Sequence, residues 1–436
     1  MHSDVLRSSP PDLKLPAKRL LSPITCGPPL LPTRRGWQFS ALFDRLVCQP
    51  RRVGSRGERV GSGGGRIGEK WGRVGSWICF QVIIVLLLQL LPVNTRAEEQ
   101  FYFYKGYDYG SQAIYNPLTV IISGGFDVLQ IDSRTNELNR LKIGHGLSNV
   151  WENVKNPIPA IDEYGWKEFF SSEIFPLGLS RDSYQYVPNY TLHLVGGGMT
   201  YVATAEWFAY HNYRYPRALS GVTMVVQHLL NEAIENNSFT GYNVDPIADL
   251  YLFDPLGIVV FSLPKVPKFF AKTLHLNDWS PPTLITATDY AIFNNGQKFS
   301  FKYDVPKLDR WRLFYLAGTE GMWGVSYRVT DSDDFTASWG LAAHRLDEVH
   351  MPNGARKLIA RVIYTGGIFY DRNGSLLSSL ILGGARGYAA RFNVFPGVLK
   401  WRGMSPGLTL LLQHNGNLMA GVSARWSPIG LAARVH

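Results

Sequence analysis

The sequence predicts an α+β protein in which a module of three or four apolar helices precedes an antiparallel β-meander, closing into a membrane β-barrel of about 8–12 strands. Three observations lead there. The apolar period changes from helical to two after about Asn277, the turn sequences Asn294-Asn295-Gly296 and His414-Asn415-Gly416-Asn417 punctuate that half, and charge and cysteine are spread unevenly. The formal charge is +10, yet residues 1–97 hold 15 Lys/Arg against 5 Asp/Glu and the rest is balanced at 29 of each. A basic excess confined to the first 97 residues gives no nucleic-acid groove in the body, so no nucleic-acid partner is expected. Cys26, Cys48 and Cys79 all precede Glu98. From Glu98 onward, disulfides, thiolate zinc sites and cysteine nucleophiles are excluded, which suits an oxidising compartment or reflects scarce cysteine.

Residues 1–72 are rich in Arg, Gly, Pro and Ser without apolar periodicity, and read as unstructured or as an upstream extension from an early start codon. A basic RNA-binding tail is the alternative. Residues 73–97 have the parts of a signal peptide: Arg73, an apolar run from Trp77 to Leu91, and a small residue, Ala97, before the expected cut. The run falls short of the ~20 apolar residues of a comfortable span, although a retained single-span anchor is the competing reading. Residues 98–190 are aromatic and loop-rich, opening with Phe101-Tyr102-Phe103-Tyr104. Short strands are expected at Val120-Ile121-Ile122 and Val128-Leu129-Gln130-Ile131, around Gly124-Gly125.

Residues 191–270 read as the helical module. A small-residue helix runs from His193 to about Tyr210, and Arg217 to Asn236 carries Leu219, Val222, Val226, Leu229, Leu230 and Ala233 at helical spacing. Further helices are expected from Asp245-Pro246 and from Asp254-Pro255. Residues 277–436 supply strands near 283–293, 297–304, 310–317, 321–330, 335–345, 357–370, 376–383, 387–394, 407–413, 417–426 and 429–435. Lys298-Phe299-Ser300-Phe301-Lys302-Tyr303 puts aromatics on one face and lysines on the other. A soluble β-sandwich remains the alternative. The chain ends Ala433-Arg434-Val435-His436 rather than on the aromatic residue usual for outer-membrane barrels, so the barrel is incomplete, its signal is atypical, or the sheet is not a membrane barrel.

Polar residues among the apolar helices are the candidates for chemistry. His228, Glu232 and Glu235 stand at i, i+4 and i+7, within an arc of about 60° on one helix face. An imidazole and a carboxylate one turn apart suit metal ligation, or a base with its orienting partner. His193, Glu206, Asp245 and Asp249 are placed to complete such a centre, while a solvated stripe on an amphipathic helix is the plainer reading. His193 and His211 lie about 27 Å apart on a straight helix and share no ligand.

The order of His193, a small-residue helix, a second helix ending in Glu232, then Asp249 and Gly257 resembles the helical module of the VanZ-like group and related uncharacterised bacterial membrane families. The resemblance covers about 70 residues, His193 to Ser262. It implies His193, Glu232 and Asp249 as the functional set, and a module joined to a C-terminal β-barrel. The stretch Leu250-Tyr251-Leu252-Phe253-Asp254-Pro255 before Gly257 departs from relatives that more often carry Asn or Thr-Pro there. No reaction and no cofactor follow from it.

Several chemistries are absent. There is no phosphate-loop motif, no Gly-x-Ser-x-Gly elbow and no His-Glu-x-x-His helix, and the one Gly-x-Gly-x-x-Gly match, Gly63 to Gly68, has no strand before it. The sequence thus points to an exported protein of the outer membrane, or alternatively the periplasm, with membrane lipid as partner. Its expected role is a structural or transport-type barrel with a helical insert. The alternative is a lipid- or cell-wall-modifying hydrolase or transferase using His193, Glu232 and Asp249, and a third reading is a soluble periplasmic binding protein.

Overall fold

The computed structural model describes residues 101–435 apart from 132–133, 177–186, 239, 351–355, 385 and 401. The basic extension 1–72 and the signal peptide 73–97 lie outside the described residues.

The region expected to be loop-rich is helical. Helices α1 (Ser111–Ile114), α2 (Pro117–Gly125), α3 (Ile143–Lys155), α4 (Pro157–Tyr164) and α5 (Trp166–Glu168) replace it, and neither of the two short strands forms. Val120–Ile122 lies inside α2, and Val128–Gln130 within a 3₁₀ turn, Asp127–Gln130. Local chemistry explains α2: Asn116 Oδ1 accepts from the backbone N–H groups of Leu118 and Thr119, both at 3.0 Å, and Pro117 occupies the first turn. The β-branched run then follows the cap, and Gly124 and Gly125 meet Gln227 and Leu230 of the long helix described next.

Four further helices follow, α6 (Gly198–Tyr210), α7 (Pro216–Glu235), α8 (Asp245–Ala248) and α9 (Asp254–Ser262), with α10 (Lys265–Lys272) leading to the sheet. The spacing that predicted α6 and α7 holds to within a few residues. Two joints differ from expectation, since Val187–Gly197 before α6 and Asp249–Phe253 between α8 and α9 are wound as π-helix. Small residues allow close packing there: a Cβ on Gly257 would lie 2.7 Å from the Leu194 carbonyl oxygen, and one on Gly198 would lie 2.8 Å from that of Gly257. Among the described residues no single helix is long and apolar enough to cross a membrane. Asp245–Ser262 with Lys265–Lys272 passes only as a pair bent by 88°.

The rest is one mostly antiparallel sheet of 13 strands. They are β1 (Asn277–Asp278), β2 (Leu284–Thr286), β3 (Ile292–Phe293), β4 (Phe299–Asp304), β5 (Trp311–Ala317), β6 (Glu320–Arg328) and β7 (Asp333–His350). They continue as β8 (Arg356–Arg372), β9 (Ser375–Gly383), β10 (Tyr388–Val394), β11 (Gly407–Gln413), β12 (Leu418–Ser423) and β13 (Gly430–Val435). β4 to β13 form a meander, flanked by β1 at one edge and by β2 and β3 at the other. The expected strand 283–293 is instead the β2–β3 hairpin. The ladder is open, with β1 and β3 as its edges, so the closed barrel expected from sequence is not seen as a continuous ring.

It is nevertheless strongly curled. The segment 277–286 pairs with β4 at its start, through Asp278 and Phe299, and in parallel with β13 at its end, through Leu284 and Gly430. Six residues separate 278 from 284, a reach of at most ~21 Å. The nine strand steps from β4 to β13 would cover ~43 Å in a flat sheet. Side chains cross the curl as well: Lys302 on β4 reaches Asp371 on β8 at 2.5 Å, and Glu320 on β6 pairs with both Lys298 and Arg391 on β10.

The enclosed face of the sheet is mixed, polar and apolar, and the outer face is largely apolar. The buried face carries Lys302, Ser326, Thr336, Asp371, Arg391 and Thr409, together with an apolar layer in which Ile114 of α1 packs with Trp279, Phe314 and Phe369. The opposite face exposes Leu313, Val325, Leu341, Leu408, Leu410 and Leu412, and Trp339 there is 68% exposed where Asp371 on the buried face is 1%. The alternation Leu408, Leu410, Leu412 out with Thr409 and Leu411 in is complete along β11. Around β4 the outer face is covered, where Phe299 and Phe301 pack with Met199 and Phe261 of the helical module.

Candidate functional site

The centre of the helical module is built from three segments. The π-wound turn before α6 brings His193, α7 brings His228 and Glu232, and the second π-wound turn leading into α9 brings Asp249 and Asp254. The mutual approach of Gly257 to the carbonyls of His193 and Leu194 holds the first and third segments together.

His193 lies between two carboxylates. Its Nδ1 is 2.9 Å from Asp254 Oδ1 and its Nε2 is 3.4 Å from Asp249 Oδ2. His228 stands on the other side of Asp254, with Nδ1 3.1 Å from Oδ2, and the two imidazole centroids are 5.5 Å apart. That 3.1 Å approach is not aligned as a hydrogen bond, so His228 Nδ1, Asp254 Oδ2 and also Asp249 Oδ1 are buried with no hydrogen-bond partner. Such atoms are costly in an apolar interior unless something else satisfies them.

The electrostatics separate the two histidines. Burial acts to lower the His193 pKa, but Asp249 and Asp254 outweigh it and raise the group to about 10, so His193 is an imidazolium. His228 is pushed down to about 4 by burial, with His193 adding to the effect and Asp254 opposing it, so it is neutral with a free lone pair. Burial also raises Asp249, to about 7, and Glu232 well above the usual carboxylate range, the latter reinforced by Asp249 and Asp245. Two carboxyl groups in this crowd therefore hold protons more tightly than in water.

No protein-family model matches the chain, and no curated protein or solved structure shows a significant match. The site therefore has to be read from its own atoms.

Of the three residues suggested by the VanZ-like resemblance, His193 and Asp249 are in direct contact, while Glu232 is buried beside them and has its carboxylate 3.5 Å from the Asn236 side-chain amide. The metal set expected along one helix face, His228 with Glu232 and Glu235, is not the group the fold assembles. Among the described residues the His, Asp and Glu side chains whose ligand atoms lie within 4.8 Å of one another are His193, His228 and Asp254. Glu235 is half-buried, and its main-chain oxygen accepts a hydrogen bond from Arg134. The reason is geometric: partners of His228 come from other segments rather than from the next turns of its own helix.

Glu206 belongs elsewhere too. Its carboxylate accepts the backbone N–H groups of Tyr102, Phe103 and Tyr104 at 2.7–2.8 Å, clamping the aromatic segment onto α6. Asp254 reads in the sequence only as a helix start, and its place beside His193 and His228 comes from the fold. The signal was present as the five-residue spacing from Asp249, which is about one turn of a π-helix but points away on an α-helix.

Proposed function

We propose that the chain is an outer-membrane protein whose sheet is a membrane barrel of structural type, bearing the helical module on its flank at β4. The exposed apolar face of the sheet carries this reading. A dozen or so outward Leu, Val, Phe and Trp side chains left in water forgo ~2 kcal/mol each, a total above the ~5–15 kcal/mol net stability of an ordinary domain. Lipid removes that cost, and the alternation of apolar-out with polar-in is the pattern of a membrane strand. In this reading the segment 277–286 joins the two edges of the meander.

Trp311, Tyr327, Phe335 and Tyr370 align across β5 to β8 beside the turns, as aromatic residues do at a headgroup boundary. A filled barrel rather than an open pore fits the interior, since the rings of Trp279, Phe314 and Phe369 meet at 5.4–5.7 Å and the Lys302–Asp371 and Arg391–Glu320 ion pairs are buried. The expected result is extraction from membranes only by detergent, with a folded band that changes mobility on heating in a semi-native gel. A chain that stays monomeric in buffer without detergent would falsify the proposal.

A second reading, an envelope hydrolase or transferase, is favoured by one observation, the contact of His193 with Asp249 and with Asp254, the latter 61 residues further along the chain. Here Glu232→Gln is the informative variant. Folded protein with lost turnover of a lipid or cell-wall substrate supports it, and unchanged turnover removes Glu232 from the mechanism.

A further inference from the structure

We propose that His193, His228 and Asp254 are the protein ligands of a divalent transition-metal ion of the zinc class, with Asp249 orienting His193 from behind. The inference goes beyond the membrane reading and rests on neither that nor the enzymatic one.

Three features support it. First, the candidate ligand atoms lie within 4.8 Å of one another, and His193 Nδ1 and His228 Nδ1 both face the Asp254 carboxylate, at 2.9 and 3.1 Å. Ligand bonds of ~2.0–2.2 Å in a tetrahedron put neighbouring donor atoms ~3.4 Å apart, so only small shifts separate the side chains from a coordinating arrangement, and the incoming cation displaces to solvent the Nδ1 proton that His193 otherwise holds toward Asp254. Second, the buried donor atoms His228 Nδ1 and Asp254 Oδ2 lack hydrogen-bond partners although they sit side by side. With its proton on Nε2, His228 sets an Nδ1 lone pair 3.1 Å from the Asp254 carboxylate, and two such acceptors are satisfied by a cation and not by each other. Third, His193 presents its other nitrogen, Nε2, to Asp249 at 3.4 Å. A carboxylate behind a metal-bound imidazole is the usual device for fixing its tautomer.

The ligand chemistry selects the ion. Two imidazoles and one carboxylate suit zinc and its transition-metal neighbours, whereas magnesium and calcium favour all-oxygen sets. Three protein ligands leave a fourth position for water or a substrate oxygen. The surrounding carboxyl groups, Glu232, Asp245 and Asp249, make the centre rich in acid and receptive to a dication.

The competing description is an ion network of His193 with its two aspartates and no metal. Full-length protein, stripped with chelator and titrated with Zn²⁺ against a chromophoric competitor, separates the two. About one equivalent per chain is expected, with His228→Gln and Asp254→Asn each weakening binding by more than ~100-fold and Asp249→Asn by ~10–100-fold. Stoichiometric binding that survives both His228→Gln and Asp254→Asn overturns the proposal, as does wild-type protein that takes up no Zn²⁺. If those variants do not fold, Co²⁺ bound to the wild-type chain decides the matter. A visible spectrum of four- or five-coordinate nitrogen and oxygen ligation supports the site, and a six-coordinate aquo-type spectrum overturns it.

Discussion

Glu206 shows how one side chain organises a segment that has no regular structure of its own. Three consecutive N–H groups of an aromatic stretch find their acceptor in a single buried carboxylate on α6. Burial raises its pKa to about 7 while those N–H groups pull it down. For an acid whose folded pKa exceeds its unfolded value of about 4.5, the stabilising contribution is present below pH 4.5 and is lost as pH rises through 7. Glu206→Gln, a neutral acceptor at every pH, should therefore gain stability relative to the wild type between pH 4.5 and 7, by up to ~3 kcal/mol. Thermal unfolding of both chains across that range tests this, and parallel curves would sink it. Nothing in the local sequence announces this role, because the N–H groups that define it lie about a hundred residues upstream.

At the scale of elements, the site depends on two π-wound joints and on glycine. A side chain on Gly257 would collide with the backbone of His193 and Leu194, so Gly257→Val should push α9 away from the turn that carries His193. The expected cost is ~1–3 kcal/mol with loss of the His193–Asp254 contact, seen as a shifted imidazole resonance in spectra of ¹⁵N-histidine protein. An unshifted His193 signal would show that α9 does not position Asp254. Strands and the long helix were legible in the sequence because alternation and helical spacing reflect the face each element buries. Asn373-Gly374 and Asn415-Gly416 fixed hairpins, with positive φ at Asn373, Gly374 and Gly416, whereas Asn294-Asn295-Gly296, which reads as a hairpin turn, joins β3 and β4, strands that do not pair with each other. The helices between 111 and 174 were not legible, since Val120-Ile121-Ile122 has strand chemistry and becomes helical through a cap and through packing on α7. Asp254 escaped for a similar reason, since α-helical geometry turns it away from Asp249.

For the molecule as a whole, what matters is which solvent each face meets. If the outer face meets lipid, Trp339→Arg should destabilise the protein by ~2–4 kcal/mol in bilayers. Urea titration in vesicles measures it, and a change below ~0.5 kcal/mol would mean that Trp339 faces water. The inner face gives the converse expectation. Lys302 neutralises Asp371 and shares Asp334 with the partly buried Arg312, and Lys302, Asp334 and Asp371 are buried, so Lys302→Ala should cost ~3–5 kcal/mol by leaving Asp371 charged and alone. Adding Asp371→Asn should recover part of that loss. A neutral outcome for the single variant would show that water reaches this interior.

The segment 277–286 also imposes an order in time. It leaves the ribosome before any of the long strands, yet its end, Leu284, pairs with Gly430, separated by nearly the whole sheet in sequence. Such a contact closes a very long loop and is intrinsically late. The edge of β2 must therefore wait unpaired while ten strands are made and arranged. A helper that shields this edge, or a membrane surface that receives the meander first, would shorten the interval in which the edge is open to pairing with other chains.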